Sequence, residues 1–312
     1  MISAKNFPKI SIVTPVKNGA ATLEKAIKSL IDQNYPNLEY IIIDGASTDG
    51  TLDIIKKYEK NISYWQSSDD GSNILAHIAG IKKASGEIIA FLNADDFYEA
   101  ETLHKASQAF IDNTELDMAS FRFRSIRDGK IINETSIADV TLDKNHVVTM
   151  LGMNARFFKK SLFEKYGLPI ATDDQGRPFI SNDLEFLARF TFKGIKNKII
   201  DYIGYNYMMS EDSLTFSKNP QSQNRLFEDR IFIAKKFLND DKIEVPKAWK
   251  KAFRKWIKKY RSLLTANQIN WGNWDKAWKN FRCGVAESGF FAFGFYLIKT
   301  LIRSRKNLRS FR

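Results

Sequence analysis

Apolar residues recur along this chain with two alternating periods. Ile10-Ser11-Ile12-Val13 is a short β-branched run halted by Thr14-Pro15, which predicts a strand. Leu23, Ile27, Leu30 and Ile31 follow at i, i+4, i+7 and i+8, the spacing of an amphipathic helix. Tyr40-Ile41-Ile42-Ile43 is apolar without alternation, as expected of a parallel strand covered on both faces. A helix around Ile54, Ile55 and Tyr58, a strand at 62–65, a helix through 76–84 and a strand at 88–92 continue the series. Strand alternating with helix predicts an α/β fold, a mostly parallel sheet flanked by helices with right-handed crossovers.

Ligands of such sheets bind beyond the carboxyl ends of the strands. Here those ends carry Thr14-Pro15, Asp44, Asp69-Asp70 and Asp95-Asp96, so the fold gathers them on one rim. Adjacent carboxylates repel, and a pair at a strand exit calls for a cation or a polar ligand. Hard oxygen ligands suit Mg²⁺ or Mn²⁺, ions that keep waters and grip phosphates. The plainer alternative is a solvated turn opening a helix, where Asp favours the positive end.

Three segments together resemble the family 2 glycosyltransferases and their GT-A nucleotide-sugar fold: 10–18, 33–51 with its Asp44-Gly45-Ala46-Ser47-Thr48-Asp49-Gly50-Thr51 turn, and 84–96 with Asn93-Ala94-Asp95-Asp96. The resemblance implies that Asp44 accepts a hydrogen bond from the nucleobase and that Thr14, Pro15 and Val16 line the same pocket. It implies that Asp95 sits by the ribose or the metal's waters and that Asp96 ligates a divalent cation, Mn²⁺ or Mg²⁺. A metal bridging both phosphates makes the nucleoside diphosphate a competent leaving group. The family's next motif is less well matched. Segment 69–80 places Leu75 and Ile78 where polar donor contacts are usual, and His77 reads as a helix-face residue.

Farther on, 153–158 reads as a strand, and Ser161-Leu162-Phe163-Glu164 as a capping box opening a helix that Gly167 closes. The resemblance implies that Asp183, in Ser181-Asn182-Asp183, is the general base of an inverting transfer. A carboxylate there takes the acceptor hydroxyl's proton as it attacks the anomeric carbon. The alternative for Asp183 is a helix-opening acid. Glu185 and Arg189 read as an i,i+4 pair on an exposed face. Segment 205–215 resembles the family's closing segment but contains no His.

Charge divides the chain. From Lys247 to Arg312 there are 17 Lys and Arg against Asp275 and Glu287, a net +15 within an overall +12. In this tail Trp249, Phe253, Trp256, Ile257 and Tyr260 keep helical spacing among Lys and Arg; Trp274, Ala277, Trp278 and Phe281 repeat the pattern, and 290–298 is almost wholly apolar. The expected domains are 1–220, catalytic, and 221–312, a basic, aromatic-rich helical extension. Such helices suit an anionic lipid interface; packing on the body is the alternative. The rim acids argue against nucleic acid as a partner. A single Cys283 and the lack of a signal-like apolar stretch near Met1 lead to the expectation of a cytoplasmic protein, peripheral on the inner face of the membrane.

The expected function is a metal-dependent, inverting transfer of sugar from a nucleotide-sugar donor, UDP-sugar favoured, to a glycan or lipid-linked acceptor. Bacterial surface polysaccharide, including lipopolysaccharide, is the expected setting. Two alternatives stay open: an inactive membrane adaptor keeping the fold, and a nucleotidyltransferase. The Gly-poor Thr14-Pro15-Val16-Lys17-Asn18 turn argues against the latter.

Overall fold

The computed structural model describes residues 7–69, 71–142, 152–209, 220–240 and 244–309. The chain forms two compact units, Met1–Thr172 with Asn182–Ser210, and Asp173–Ser181 with Glu211–Arg312. The second thus takes in a short stretch, 173–181, that lies within the first in sequence.

The first unit is built from β1 (Ile10–Val16), α1 (Leu23–Ile31), β2 (Leu38–Asp44), α2 (Thr51–Lys57), β3 (Tyr64–Ser67), α3 (Asn73–Lys83), β4 (Ile88–Phe91), β5 (Phe97–Tyr98), α4 (Thr102–Asp112), β6 (Met118–Arg127), β7 (Lys130–Glu134), α5 (Ile137–Val140), β8 (Arg156–Lys159), α6 (Lys160–Tyr166), α7 (Asn182–Phe192) and β9 (Asn197–Met208). Its nine strands form one sheet in the order β3-β2-β1-β4-β8-β6-β9-β5, with β7 hairpinned onto β6. Strands β3, β2, β1 and β4 run parallel, as do β6 and β9; β8 joins the two groups by antiparallel pairing with both β4 and β6. The α/β class expected from the sequence is the class observed.

Burial explains the pattern. Every residue of β1 is buried, and β2 is buried from Glu39 to Asp44, because helices cover both faces. One core layer holds Ile12, Leu23, Ile27, Tyr40 and Phe157; the other holds Val13, Ile41, Phe91, Phe158, Phe163 and Phe186. Register places Val16 beside Asp44 and Asp44 beside Ser67, so three neighbouring strands end together.

Two local expectations change. The capping box at Ser161 is not used: β8 stays paired through Lys159, opposite Ile88, and α6 begins directly at Lys160 without a side-chain cap. The Glu185–Arg189 pair forms at 2.9 Å but is not exposed, since Glu185 is 1% accessible. Arg189 also donates to the carbonyls of Tyr166, Gly167 and Leu168, so it clamps the carboxyl end of α6 onto α7. Gly167 does close α6, as expected.

The second unit contains α8 (Pro220–Asn239), α9 (Lys247–Asn270), α10 (Trp274–Ser288) and α11 (Phe290–Arg309). The aromatic stripe of α9 is buried: Phe253 stacks on Phe237 and Tyr260 on Phe227, both from α8. The α9 stripe is thus taken up by α8, within the helical unit itself. Helices α10 and α11 differ, for Trp274, Trp278, Phe291, Phe295 and Ile298 are exposed. No helix among the described residues is long and apolar enough to cross a membrane.

Candidate active site

Two loops at the carboxyl ends of β1 and β2 are laced together. Ser47 Oγ accepts from Asn18 N at 2.7 Å, Asn18 Oδ1 from Thr48 N at 2.9 Å, Thr51 Oγ1 from Gly19 N at 2.9 Å, and Asp49 Oδ2 from Ala20 N at 3.0 Å. Ala46 takes a left-handed φ of 57° within this lacing, a strained backbone that needs such support. Asp44 anchors it from below, accepting from Ser47 N (3.0 Å), Ser47 Oγ (2.5 Å) and Ser67 Oγ (2.6 Å). It is fully buried. Three of about four lone-pair positions on its carboxylate are thereby taken.

Pro15 and Val16 line a cleft of about 160 Å³ with Lys17, Asp69, Gly71 and Ser72, at the amino end of α3. Thr14 lies elsewhere: it is buried, and its Oγ1 accepts from Tyr40 Oη at 3.1 Å. Asp70 lies outside the described residues. Ser72 caps α3, accepting from Leu75 N. His77 faces inward, 4% accessible, with Nδ1 by Asn73 O at 3.0 Å and its ring edge-on to Phe91; burial lowers its pKa to about 4.

The acid pair after β4 is split. Asp95 is open to solvent. Asp96 is 1% accessible and points into the protein, where Oδ2 accepts from Tyr205 Oη (2.5 Å) and Asn93 Nδ2 (3.0 Å), and Oδ1 from Met208 N (2.7 Å). Burial, and then the Asp95 charge, push the Asp96 carboxyl up to about 8. The dense surroundings raise Asp95 as well. The position expected to ligate a cation, Asp96, therefore has both oxygens occupied by protein donors, while its neighbour faces outward. Among the described residues no three His, Cys, Asp or Glu cluster as a protein-only metal cage. One outward carboxylate fits a cation that takes its remaining oxygens from a ligand and water.

Asp183 is the second residue of α7 and half-buried. It packs against Gly152 so closely that a Cβ there would overlap the carboxylate. Behind Gly152 lies Arg156, 1% accessible, donating from Nε to Gly152 O at 3.2 Å, from Nη2 to Val140 O at 3.2 Å, and from Nη1 to Ser120 Oγ. Burial lowers the guanidinium to about 9 and the Asp183 charge opposes that shift. The sequence reading misses Arg156, because Met153-Asn154-Ala155-Arg156-Phe157-Phe158 reads as scaffold; a cation inside an apolar strand was the available signal. The segment 210–219, including Ser213-Leu214-Thr215, lies outside the described residues.

The model of glycosyl transferase family 2 matches residues 11–173, just over half of the chain and all four strand ends of the rim. The chain belongs to this family. Asp183 and the helical unit lie beyond the matched span. Among curated family relatives, poly(ribitol-phosphate) beta-N-acetylglucosaminyltransferase TarS of Staphylococcus aureus is 23% identical over 249 residues, 77% of this chain and 42% of that protein. The poly(ribitol-phosphate) beta-glucosyltransferase of Bacillus spizizenii is 28% identical over 65% of this chain and 33% of its own length. The chain thus spans less than half of these relatives. The crystal structure of S. aureus TarS 1-349 in complex with UDP superposes with a TM-score of 0.64 at 18% identity, covering 97% of this chain and 92% of that one. The mannosyltransferase PcManGT from Pyrobaculum calidifontis, in complex with GDP-Man and Mn²⁺, gives 0.57 at 14% identity, covering 94% and 87%. Both likenesses concern the fold.

Proposed function

We propose that this protein is an inverting, metal-dependent glycosyltransferase that moves a sugar from a UDP-sugar onto a hydroxyl of a bacterial surface polymer. The observation that carries the reading is the split acid pair: Asp95 turns outward on the rim that Pro15, Val16 and Asp44 also occupy, while Asp96 is fixed inside. TarS has been crystallised with UDP and with UDP-GlcNAc, and the named relatives act on poly(ribitol-phosphate). These names favour a uridine donor and a polyol-phosphate or glycan acceptor over a lipopolysaccharide.

In this reading the base stacks in the cleft by Pro15 and Val16, and rotation of the exposed Ser67 hydroxyl frees Asp44 to accept the base N–H. Asp95, rather than Asp96, holds a divalent cation, which when bound neutralises the diphosphate leaving group. Asp183 accepts the proton of the acceptor hydroxyl as that oxygen bonds to the anomeric carbon and the bond to the diphosphate breaks. Arg156 steadies Asp183 as an anion. On α10 and α11 the exposed Trp274, Trp278, Phe291 and Phe295 stand among exposed Lys276, Lys279, Arg282 and Lys299, which supports attachment to an anionic lipid surface.

The deciding experiment is calorimetric titration of UDP and GDP, with Mn²⁺ and then with chelator. Metal-dependent UDP binding supports the reading. Binding of neither nucleotide, with the protein folded, overturns it.

A further inference from the structure

The helical unit carries a polar cleft of about 530 Å³, within the range of small-molecule sites (roughly 300–1,000 Å³). Its walls include Gln221, Asn224 and Glu228 from α8, Gln268 from α9, and Trp271 and Asn273 from the turn that follows. Trp271 is 67% accessible. We propose that this cleft is a carbohydrate subsite, in which the Trp271 indole takes the C–H face of a sugar or polyol unit and the surrounding amides and carboxylate take its hydroxyls.

The turn holds the Trp271 backbone in a defined place at the cleft. Asn273 N donates to Gln268 O at 2.8 Å and Gly272 N to Ile269 O at 3.1 Å, the paired bonds of a Schellman helix end, with Gly272 at a φ of 69° that a side chain would strain. The opposite wall is ordered too. Asn224 Oδ1 faces Asn267 Nδ2 at 3.3 Å, and Gln268 Oε1 accepts from Asn280 Nδ2 at 2.9 Å. Planar amides present a donor and an acceptor side by side, which matches neighbouring hydroxyls that both give and take protons.

Other ligand chemistries fit less well. A purely apolar ligand would meet one aromatic ring among polar groups. A strongly anionic ligand would meet Glu228, and the one guanidinium in the wall, Arg225, is already held by Asp229 (3.3 Å), Asp173 (3.6 Å) and Pro178 O (2.8 Å). Lys276 remains at the edge for a phosphodiester that links successive units of a chain. The subsite rests on the transferase reading above, as a second grip on a polymeric acceptor.

The test is ¹⁹F NMR of the full chain carrying 5-fluorotryptophan, with Trp271→Phe assigning its resonance among the six tryptophans. Titrants are chitotetraose, cellotetraose and ribitol 5-phosphate. The Trp271 resonance is expected to shift saturably with at least one of them, and Asn224→Ala to weaken that binding about tenfold, the loss of one good polar contact. A Trp271 resonance unmoved by all three overturns the subsite. Parallel titration of UDP with Mn²⁺ separates the two failures: UDP binding with a silent Trp271 removes the cleft alone, and absent UDP binding removes the transferase reading while the sugar titration still judges the cleft.

Discussion

The Tyr205 hydroxyl donates to Asp96 Oδ2 at 2.5 Å across 109 positions of sequence, between side chains that are each 1% accessible. Tyr205 is in β9 and Asp96 immediately precedes β5, which pairs with β9 through Phe97 and Asn206. The bond therefore fixes how the chain leaves the acid pair, and it is what leaves Asp95 facing outward.

Substitution should separate the two acids. Asp95→Ala is expected to weaken metal-dependent UDP binding by about a hundredfold, comparable with losing a charge-assisted contact of some 2–3 kcal/mol. Asp96→Asn, with one hydrogen bond mismatched against Asn93, should retain UDP binding while costing roughly 1–3 kcal/mol of stability. Calorimetry and urea denaturation on both variants check this. The reverse ranking in the binding assay would return the cation to Asp96.

Asp183 and Gly152 make a second pair. Asp183→Asn should leave donor binding intact and cut transfer by about 10²–10⁴-fold, the contribution of a positioned base. Gly152→Ala should reproduce much of that loss, because its Cβ displaces the carboxylate. Single-turnover transfer beside UDP affinity distinguishes these effects. Equal losses in both measurements would mark Asp183 as a scaffold residue.

How far the sequence reached depends on where each constraint lies. Strands β1, β2 and β4 are legible because burial on both faces leaves uninterrupted apolar runs, and their order alone puts Asp44 and Asp95 on one rim. Strand β6 is not among the expected strands although Phe121 and Phe123 alternate there with Arg122 and Arg124; its face is set by pairing with β8 and β9. The inward turn of Asp96 is illegible locally, since Tyr205 and Met208 impose it from across the sheet. The same holds for Thr14, which the resemblance places in the pocket lining and whose hydroxyl is taken by Tyr40 in the structure.

Arg189 should matter for stability rather than for chemistry. It joins buried Glu185 to three carbonyls at the end of α6. Arg189→Ala strands a buried carboxylate and is expected to cost about 3–5 kcal/mol. Arg189→Lys should recover only part of this, because an ammonium lacks the planar fork. Thermal denaturation of the two variants reads the difference; an unchanged midpoint for Arg189→Ala would show that the clamp carries no stability.

Glu39 gives the fold a pH dependence of known sign. Burial alone would raise its carboxyl, but Lys9, the Ser11 hydroxyl and the Ser85 hydroxyl and amide together hold it down at about 2, from 4.5. A carboxyl lowered on folding stabilises the native state above its unfolded value and loses that contribution as pH falls through its folded one. The window is therefore about pH 4.5 down to about pH 2, and the shift corresponds to at most about 3 kcal/mol. Urea midpoints of the natural protein and Glu39→Gln should differ most at pH 6 and converge as pH falls below 4. A gap that stays constant across this range would locate the stabilisation in packing instead of in the charge.

The lipid-facing role proposed for α11 rests on a stripe that the fold leaves open. Phe293 and Leu297 point into the helical core with Ala266, so Phe291, Phe295, Ile298 and Ile302, at i, i+4, i+7 and i+11, fall on the opposite side and are 54–88% accessible. Lys299 lies in the same exposed stretch. Burying two phenylalanines in an interface contributes on the order of 3 kcal/mol, so Phe291→Ser with Phe295→Ser should reduce partitioning onto anionic vesicles by about a hundredfold. Raising salt should weaken the natural protein further on anionic vesicles and little on neutral ones, because only the lysine and arginine contribution is screened. Co-sedimentation with phosphatidylglycerol vesicles measures both effects. If the double variant sediments like the natural protein, the stripe takes no part in lipid binding and the proposed role of α11 fails.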